Sequence, residues 1–193
     1  MRVIWYTAMS MDGRIAAPSG SLDFLETLSS AEPSGASPND FSGFLAGIDA
    51  VVVGGATLRW LIDGGHGWPH ADLPTWLFSR DAALTARLPT DHQGMQQRAG
   101  AVEPVFAEIA ATGASAVWLC GGGDLAGQVL AADLIDEVHL TIAPTALGAG
   151  PALFDLPDLP RRGFELIELR RFGAHGARLV YHRTATGRRP ADP

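Results

Sequence analysis

Short apolar segments alternate with glycine-rich turns and helix-like patterns along most of the chain. Continuous runs of β-branched and aromatic residues predict strands, and apolar residues at roughly every third or fourth position predict helices. This alternation predicts a mainly parallel sheet covered by helices on both faces. The predicted strands are 2–9, 50–53, 75–78, 116–120, 137–143, 164–172 and 178–182, and the predicted helices begin near residue 37 and lie at about 56–62, 104–111 and 124–132.

The connections between these elements add three expectations. The last two strands are separated by Gly173-Ala174-His175-Gly176, which is typical of a hairpin and predicts antiparallel strands at one side of the sheet. Residues 18–38 are rich in Ser, Gly and Pro and predict a long loop that includes one short helical turn. Residues 81–103 are polar and poorly patterned, and no strand is predicted there.

The helix that begins near residue 37 carries a strong start signal. Ser37 has the form of an N-cap, Pro38 follows at the first helical position, and Asp40 completes a capping-box-like start. The apolar stripe of this helix is then Phe41, Phe44, Leu45 and Ile48.

Composition narrows the class of protein. The chain has 193 residues of which 47% are hydrophobic, which predicts one domain over 1–183 and a disordered tail over 184–193. The net charge of −7 leaves no broad basic surface, so nucleic acid is not an expected partner. No apolar stretch reaches the roughly 20 residues of a membrane span, and the N-terminus lacks a basic leader, so a cytoplasmic protein without a membrane partner is expected. Cys120 is the single cysteine, which excludes an internal disulfide and indicates that redox chemistry would need a bound cofactor.

A glycine-rich turn supplies the strongest local signal for such a cofactor. Gly121-Gly122-Gly123-Asp124-Leu125-Ala126 lies between a predicted strand and a predicted helix and fits the dinucleotide fingerprint G-x-G-x-x-G/A. Glycine allows the backbone to approach a pyrophosphate, and the helix N-terminus favours its negative charge. The alternative is a tight strand-to-helix turn without a ligand. Because the Asp124 carboxylate would repel phosphate, it is expected to cap the helix.

Two further clusters follow predicted strands. Gly54-Gly55-Ala56-Thr57 repeats the glycine pattern, with the Thr57 hydroxyl available to a phosphate and Arg59 one turn later. Ser79 and Arg80 follow the third predicted strand. Ligands of open α/β sheets bind beyond the carboxyl ends of the strands, so the clusters are expected to converge on one dinucleotide site. Arg59 and Arg80 suit a 2′-phosphate, which favours NADPH over NADH.

The order of these features resembles the dihydrofolate reductase-like superfamily, and especially the reductase branch of riboflavin biosynthesis, whose members are often the C-terminal half of a bifunctional deaminase–reductase. The resemblance implies a three-layer α/β/α fold with a mixed, mostly parallel sheet and an antiparallel C-terminal hairpin. It also implies a homodimer. The segments that carry the resemblance are SMDGRIA at 10–16, VVVGGATLR at 51–59, LFSR at 77–80 and WLCGGGDLAGQVLAADLIDEVHLTIAPTALGAGPALF at 118–154.

The resemblance assigns roles to particular residues. The expected NADPH site consists of Gly54, Gly55, Thr57, Arg59, Ser79, Arg80, Gly121, Gly122, Gly123, Asp124 and Leu125. The expected substrate contacts are Met11, Asp12, Phe41, Phe44 and Thr141, with Thr141 behind the acid Asp40. Asp12 and Asp40 are the expected catalytic residues, which would hydrogen-bond the substrate and assist proton delivery. The competing interpretation is that Asp40 only caps its helix and that Phe41 and Phe44 only fill the core.

The expected activity is NADPH-dependent hydride transfer to a pyrimidine-type substrate, most like that of 5-amino-6-(5-phosphoribosylamino)uracil reductase. Reduction of dihydrofolate or another pterin is one alternative, and a non-catalytic dinucleotide-binding module is another. Two features depart from the family: no zinc motif precedes the reductase-like segment, and residues 91–100 lack the expected strand. No metal site is expected, because His66 and His70 lie in a Gly/Pro/Trp loop rather than on one face of a helix.

Overall fold

A mixed sheet organises the chain. The computed structural model describes residues 1–28, 40–88 and 94–184, with Asp40 described by its backbone alone. The described residues form eight strands in the order β4-β3-β2-β5-β1-β6-β8-β7. The six strands from β4 to β6 are parallel, β8 runs antiparallel to β6, and β7 runs antiparallel to β8, as the sequence predicted. The strands are β1 (Arg2–Ser10), β2 (Ala50–Gly54), β3 (Thr75–Phe78), β4 (Gln96–Arg98), β5 (Ala116–Gly121), β6 (Glu137–Ala143), β7 (Phe164–Phe172) and β8 (Gly176–Arg183).

Helices cover both faces of this sheet. They are α1 (Asp40–Leu45), α2 (Gly55–Asp63), α3 (Val102–Ala111) and α4 (Gly123–Ala131), with 3₁₀ turns at Asp23–Leu28 and Thr85–Arg87. The first 3₁₀ turn is the short helical turn expected within 18–38. The predicted cap at Ser37 and Pro38 lies outside the described residues, as does the predicted tail from 185 onward. In the described part of the chain, no helix is long and apolar enough to cross a membrane.

Two cores lie on opposite faces of the sheet. On one face, α3 and α4 pack through Phe106 and Val129 against Trp5 of the central strand β1. On the other face, Leu58 of α2 packs with Trp68 and with strand residues such as Trp118. Because each strand side chain points to the opposite face from its neighbour, the near-continuous apolar runs of β2 and β5 satisfy both layers.

Strand β4 corrects the expectation that no strand lies in 81–103. It pairs with β3 along one edge only, with Trp76 opposite Gln96 and Phe78 opposite Arg98. An edge strand that presents polar side chains needs no apolar alternation, so its sequence carries no strand signal. Instead, the Arg98 guanidinium donates to the Glu108 carboxylate of α3 at 2.6 Å and 2.9 Å, which fixes this edge through tertiary contact.

The strand order creates an opening at the carboxyl ends of the parallel strands. The chain passes from β1 to β2 and outward to β3 and β4, and then returns to insert β5 between β2 and β1. Such a reversal of strand order separates the connections that leave the carboxyl ends of the strands. Because β2 and β5 are neighbouring parallel strands, the turns that follow them lie side by side at their carboxyl ends.

Candidate active site

A cleft of about 790 Å³ lies at the carboxyl ends of β1, β2, β3 and β5. Thr7 and Cys120 contribute to its base, and the loop 15–22 and the loop 68–70 contribute to its walls. Most of the residues that the sequence assigned to the cofactor line this cleft: Gly54, Gly55, Thr57, Ser79, Arg80, Gly121, Gly122, Gly123, Asp124 and Leu125.

The turns after β2 and β5 touch each other through glycine. A Cβ atom added to Gly54 would stand 3.0 Å from the carbonyl oxygen of Gly121 and 3.2 Å from the backbone nitrogen of Gly122. Gly121 has a φ of +145° and is joined to Gly122 by a cis peptide bond. A side chain at either turn would occupy the space where the two backbones meet, so glycine is required for this close approach.

We call the two turns formed by Gly54, Gly55 and Gly121–Gly123 the glycine cradle. Two hydroxyl groups complete it. A Cβ atom at Gly55 would stand 2.8 Å from Ser79 Oγ, and a Cβ atom at Gly121 would stand 3.0 Å from Thr57 Oγ1. The cradle therefore brings together residues from three separate segments of the sequence. It confirms that they are neighbours in space, and all of them line the cleft.

Two helices begin at this cradle. Gly54 is the N-cap of α2 and Gly122 is the N-cap of α4, and neither helix has a side-chain cap hydrogen bond. Asp124 was expected to cap α4, and that expectation is wrong, because its carboxylate accepts a hydrogen bond from Gln128 Nε2 at 2.8 Å. Uncapped backbone N–H groups and the positive ends of two helix dipoles favour an anionic ligand.

The structure separates the two arginines that the sequence grouped together. Arg80 is exposed, lines the cleft and has no ion-pair partner in the described part of the chain. Arg59 instead pairs with Asp81 at 3.3 Å and is not among the described residues that line the cleft. Arg80 is thus the guanidinium available to a ligand phosphate at this end of the cleft.

Strand β4 positions the turn that carries Arg80. Gln97 Nε2 donates to the carbonyl oxygens of Ser79 at 2.9 Å and Asp81 at 3.0 Å. The Ser79 backbone nitrogen donates to the carbonyl oxygen of Arg98 at 3.0 Å, and Ser79 Oγ accepts from the Asp81 nitrogen at 3.1 Å. Gln97 was missed by sequence reasoning because β4 itself gave no signal.

Asp12 connects two loops beside the cleft. Its carboxylate accepts hydrogen bonds from Ser10 Oγ at 2.5 Å, from the Leu147 nitrogen at 2.9 Å and from the Gly148 nitrogen at 2.7 Å. The Ser10 hydroxyl, followed by these backbone donors, lowers the Asp12 pKa to about 2. The carboxylate is therefore ionised at neutral pH and occupied by the chain's own donors, and it does not belong to the described cleft lining.

The loop after β6 extends this connection to the cofactor turn. The Met11 nitrogen donates to the Thr145 carbonyl oxygen at 2.7 Å, although the Met11 side chain is 63% exposed. Further along the same loop, the Leu153 nitrogen donates to the Gly13 carbonyl oxygen and the Asp155 nitrogen donates to that of Gly123. One loop thus fixes the turn after β1 relative to the start of α4.

The predicted substrate helix packs on the sheet beside the cleft. Phe41 and Phe44 of α1 lie with their ring centroids 5.4 Å and 4.4 Å from that of Tyr6. Thr141 is buried on β6 and is in register with Arg178 of β8. Asp40 is the first residue of α1, and its catalytic role stays a prediction.

Sequence reasoning missed a buried cation below α1. Arg178 is 4% exposed, donates to the Tyr6 hydroxyl at 2.5 Å and has its Cζ 4.5 Å from the Tyr6 ring centroid. Its position was available from the alternation of β8, which places Arg178 on the same face as Val180. Two tryptophans, Trp60 and Trp68, line the cleft, whereas Trp76 is buried with its Nε1 donating to Glu108 Oε1 at 3.0 Å.

Comparison with known proteins agrees with this geometry. The model of the RibD C-terminal domain family matches residues 1–177. An uncharacterized protein of Bacillus subtilis (strain 168), YwjB, is 28% identical over 155 residues, covering 79% of this chain and 82% of its own. A putative riboflavin biosynthesis protein from Shewanella sp. PV-4 superposes with a TM-score of 0.81 at 26% identity, covering 96% of this chain and 100% of its own.

A more distant structure defines the fold class. Dihydrofolate reductase from Enterococcus faecalis, solved in complex with NADP(H) and RAB-propyl, superposes with a TM-score of 0.54 at 15% identity, covering 95% of this chain and 97% of its own. The fold is therefore dihydrofolate reductase-like, as the sequence predicted. Within that class, the chain belongs to the RibD C-terminal domain family. Membership of this reductase family makes the chain an oxidoreductase of the riboflavin-pathway reductase kind.

Proposed function

We propose that this protein is an NADPH-dependent reductase that transfers a hydride to a pyrimidine-type substrate, most like 5-amino-6-(5-phosphoribosylamino)uracil reductase. The observation that carries the proposal is the meeting of two uncapped helix N-termini at one glycine cradle. A dinucleotide contains a pyrophosphate, which is the anion that such an arrangement favours. Family membership supports the same cofactor class.

The residues present fit the cofactor from one end of the cleft to the other. Gly54, Gly55 and the Gly121–Gly123 turn would accept the pyrophosphate, with Thr57 Oγ1 as a further donor. Ser79 and Arg80 lie at the end of β3 and line the cleft, where they suit a 2′-phosphate. Arg59 is left out of our assignment because it pairs with Asp81 and is not among the described residues that line the cleft.

The chain contributes orientation to the reaction. When bound, NADPH would supply the hydride. The sugar of such a substrate can open to an imine, and the hydride would add to the carbon of its C=N bond while a proton adds to the nitrogen. The turn after β1 would contact the reacting end of the cofactor, since Ile15 and Ala16 line the cleft beside Thr7. Asp12 would hold this turn in place rather than deliver the proton, because its pKa is about 2.

We also propose that the protein forms a homodimer. Strand β7 lies at the end of the sheet, and Leu166, Ile167 and Leu169 on it are 45%, 52% and 64% exposed. Exposed apolar side chains on an edge strand are typical of an interaction surface. Sedimentation velocity at micromolar concentration checks this, and a monomer at that concentration would remove the dimer from the proposal.

The experiment that tests the activity is the decay of NADPH absorbance with purified protein. The ribosylaminopyrimidine of riboflavin synthesis and dihydrofolate are supplied in parallel, with NADH as the control cofactor. Oxidation with the pyrimidine alone supports the proposal, and oxidation with dihydrofolate alone assigns the protein to pterin reduction. If NADPH binds tightly but is not oxidised with either substrate, the protein is a dinucleotide-binding module. If NADPH does not bind, the whole proposal is overturned.

A further inference from the structure

His70 occupies the place where the cleft meets the helix predicted to bind the substrate. It lies in the loop between α2 and β3 and lines the cleft. Its ring centroid is 4.9 Å from that of Trp118 on β5, 5.4 Å from that of Trp68 and 6.1 Å from that of Phe41 on α1. All three rings stand nearly perpendicular to the imidazole, at 77°, 80° and 69°. The imidazole is thus held by aromatic contacts from three segments.

Within the part of the chain that the structure describes, the polar atoms of this imidazole have no protein partner. Neither ring nitrogen of His70 makes a hydrogen bond or ion pair within the described ranges. Two other polar side chains at the cleft are engaged, since Asp124 accepts from Gln128 and Ser79 Oγ accepts from the Asp81 nitrogen. His70 is half-buried and lines the cleft, so a ligand with matching groups would take the place of water at its ring nitrogens.

Burial favours the neutral form of this imidazole. Burial lowers the pKa of His70. The side chains packed against it are Trp118, Trp68 and Phe41, none of which titrates near neutral pH. Cys120 also lines the cleft, and burial raises its pKa to about 12, so it is an uncharged thiol. A neutral imidazole offers one hydrogen-bond donor and one acceptor.

We infer that His70 recognises the substrate: its two ring nitrogens face a planar heterocycle that carries an N–H group and a carbonyl oxygen, as the uracil ring does. The aromatic neighbours fix the imidazole plane, and the heterocycle would bind between the cofactor turn and α1. A site built to hydrogen-bond such groups rejects analogues that lack them more strongly than an apolar pocket does. This inference rests on the proposed function and adds the residue that reads the substrate ring.

The test uses the full-length protein saturated with NADP⁺ and 5,6-diaminouracil as the probe. Binding is followed by tryptophan fluorescence, because Trp68 and Trp118 adjoin His70. The variants are His70→Phe, which removes both polar atoms, and His70→Gln, which keeps a donor and an acceptor. His66→Phe is the matched control, since His66 is exposed and stacks on Trp60 with centroids 5.6 Å apart.

We expect His70→Phe to weaken probe binding about tenfold, the loss that one or two hydrogen bonds produce. His70→Gln should recover part of the affinity, and His66→Phe should bind as the unaltered protein does. Protonation of His70 removes the hydrogen-bond acceptor. In the unaltered protein, probe affinity should therefore decrease as the pH is lowered below 6.5, the ordinary histidine pKa, whereas in His70→Gln it should not change with pH. The NADPH dissociation constant should be the same in all four proteins.

Equal probe affinity in His70→Phe and the unaltered protein would overturn the inference, as would the absence of saturable probe binding. The two proposals fail separately. Probe binding that depends on His70 without NADPH oxidation by the ribosylaminopyrimidine would remove the activity and keep the recognition role. If His70→Phe oxidises NADPH with an unchanged KM for the ribosylaminopyrimidine, the activity stands and the recognition role is removed.

Discussion

A Cβ atom on Gly55 would stand 2.8 Å from Ser79 Oγ and 3.0 Å from Ser79 Cβ. The first residue of α2 and the residue after β3 are therefore in contact at the carboxyl edge of the sheet, although 23 positions separate them in the sequence numbering. This contact makes one wall of the proposed cofactor site depend on the absence of a side chain.

Gly55→Ala should accordingly weaken NADPH binding. The added methyl group displaces Ser79, and overpacking of this kind typically costs about 1–3 kcal/mol. We expect the NADPH dissociation constant to rise about tenfold, as measured by isothermal titration calorimetry. Gly43→Ala is the control, because a Cβ atom at Gly43 in α1 meets no atom within 4 Å. Equal affinity in Gly55→Ala and Gly43→Ala would show that the cradle does not contact the cofactor.

Arg80→Ala should reduce discrimination between NADPH and NADH. Arg80 lines the cleft, and hydrogen bonds to charged groups contribute about 1.5–3 kcal/mol each. Since Arg80 is exposed, we expect the lower part of that range: an NADPH affinity about tenfold weaker, with NADH affinity unchanged. Arg59→Ala provides the comparison, because Arg59 is paired with Asp81 outside the cleft. A larger loss in Arg59→Ala than in Arg80→Ala would reverse our assignment of the two arginines.

Gln97→Leu should weaken the same cofactor site from a distance. Gln97 Nε2 holds the Ser79 and Asp81 carbonyl oxygens, and each such hydrogen bond contributes about 0.5–1.5 kcal/mol. We expect an NADPH dissociation constant raised roughly threefold to tenfold, with kcat at saturating NADPH nearly unchanged. Gln96→Leu serves as the neighbour control, since Gln96 Oε1 accepts from Arg98 on the same strand. A fall in kcat with unchanged NADPH affinity would contradict this positioning role.

Asp12→Asn should separate positioning from proton transfer. The folded-state pKa of Asp12 is lowered from 3.8 to about 2, so its stabilising contribution is fully present above the ordinary value and is lost as pH falls through the folded value. The thermal midpoint of the unaltered protein should exceed that of Asp12→Asn near neutral pH, and the difference should shrink on acidification towards about pH 2. The shape of the pH–rate profile should be the same in both proteins. Loss of an ionisation from that profile in Asp12→Asn would restore Asp12 as a proton donor.

Local sequence patterns determined most of the elements. The apolar runs at Thr75–Phe78 and Glu137–Ala143 predicted their strands with the observed bounds, because buried strands require continuous or alternating apolar residues. The exposed edge strand Phe164–Phe172 was also predicted with its observed bounds. The glycine turns and Ser79 were predicted to converge because parallel strands place their carboxyl ends at one edge. These inferences depend on patterns of apolar residues and glycines that lie close together in the sequence. The expected reaction and substrate class came from the family resemblance.

Only the tertiary structure decided which charged groups are free and which are already paired. Arg59 and Arg80 have the same side chain, yet Arg59 pairs with Asp81 whereas Arg80 lines the cleft. Strand β4 exists because β3 and Glu108 hold it, so its own sequence carries no signal. The sequence by itself determined the sheet apart from β4, its helices and the glycine turns, since these follow from local pattern. The hydrogen bonds of Asp12 with Leu147 and Gly148, and of Arg178 with Tyr6, follow from three-dimensional packing between distant segments, which local pattern does not encode.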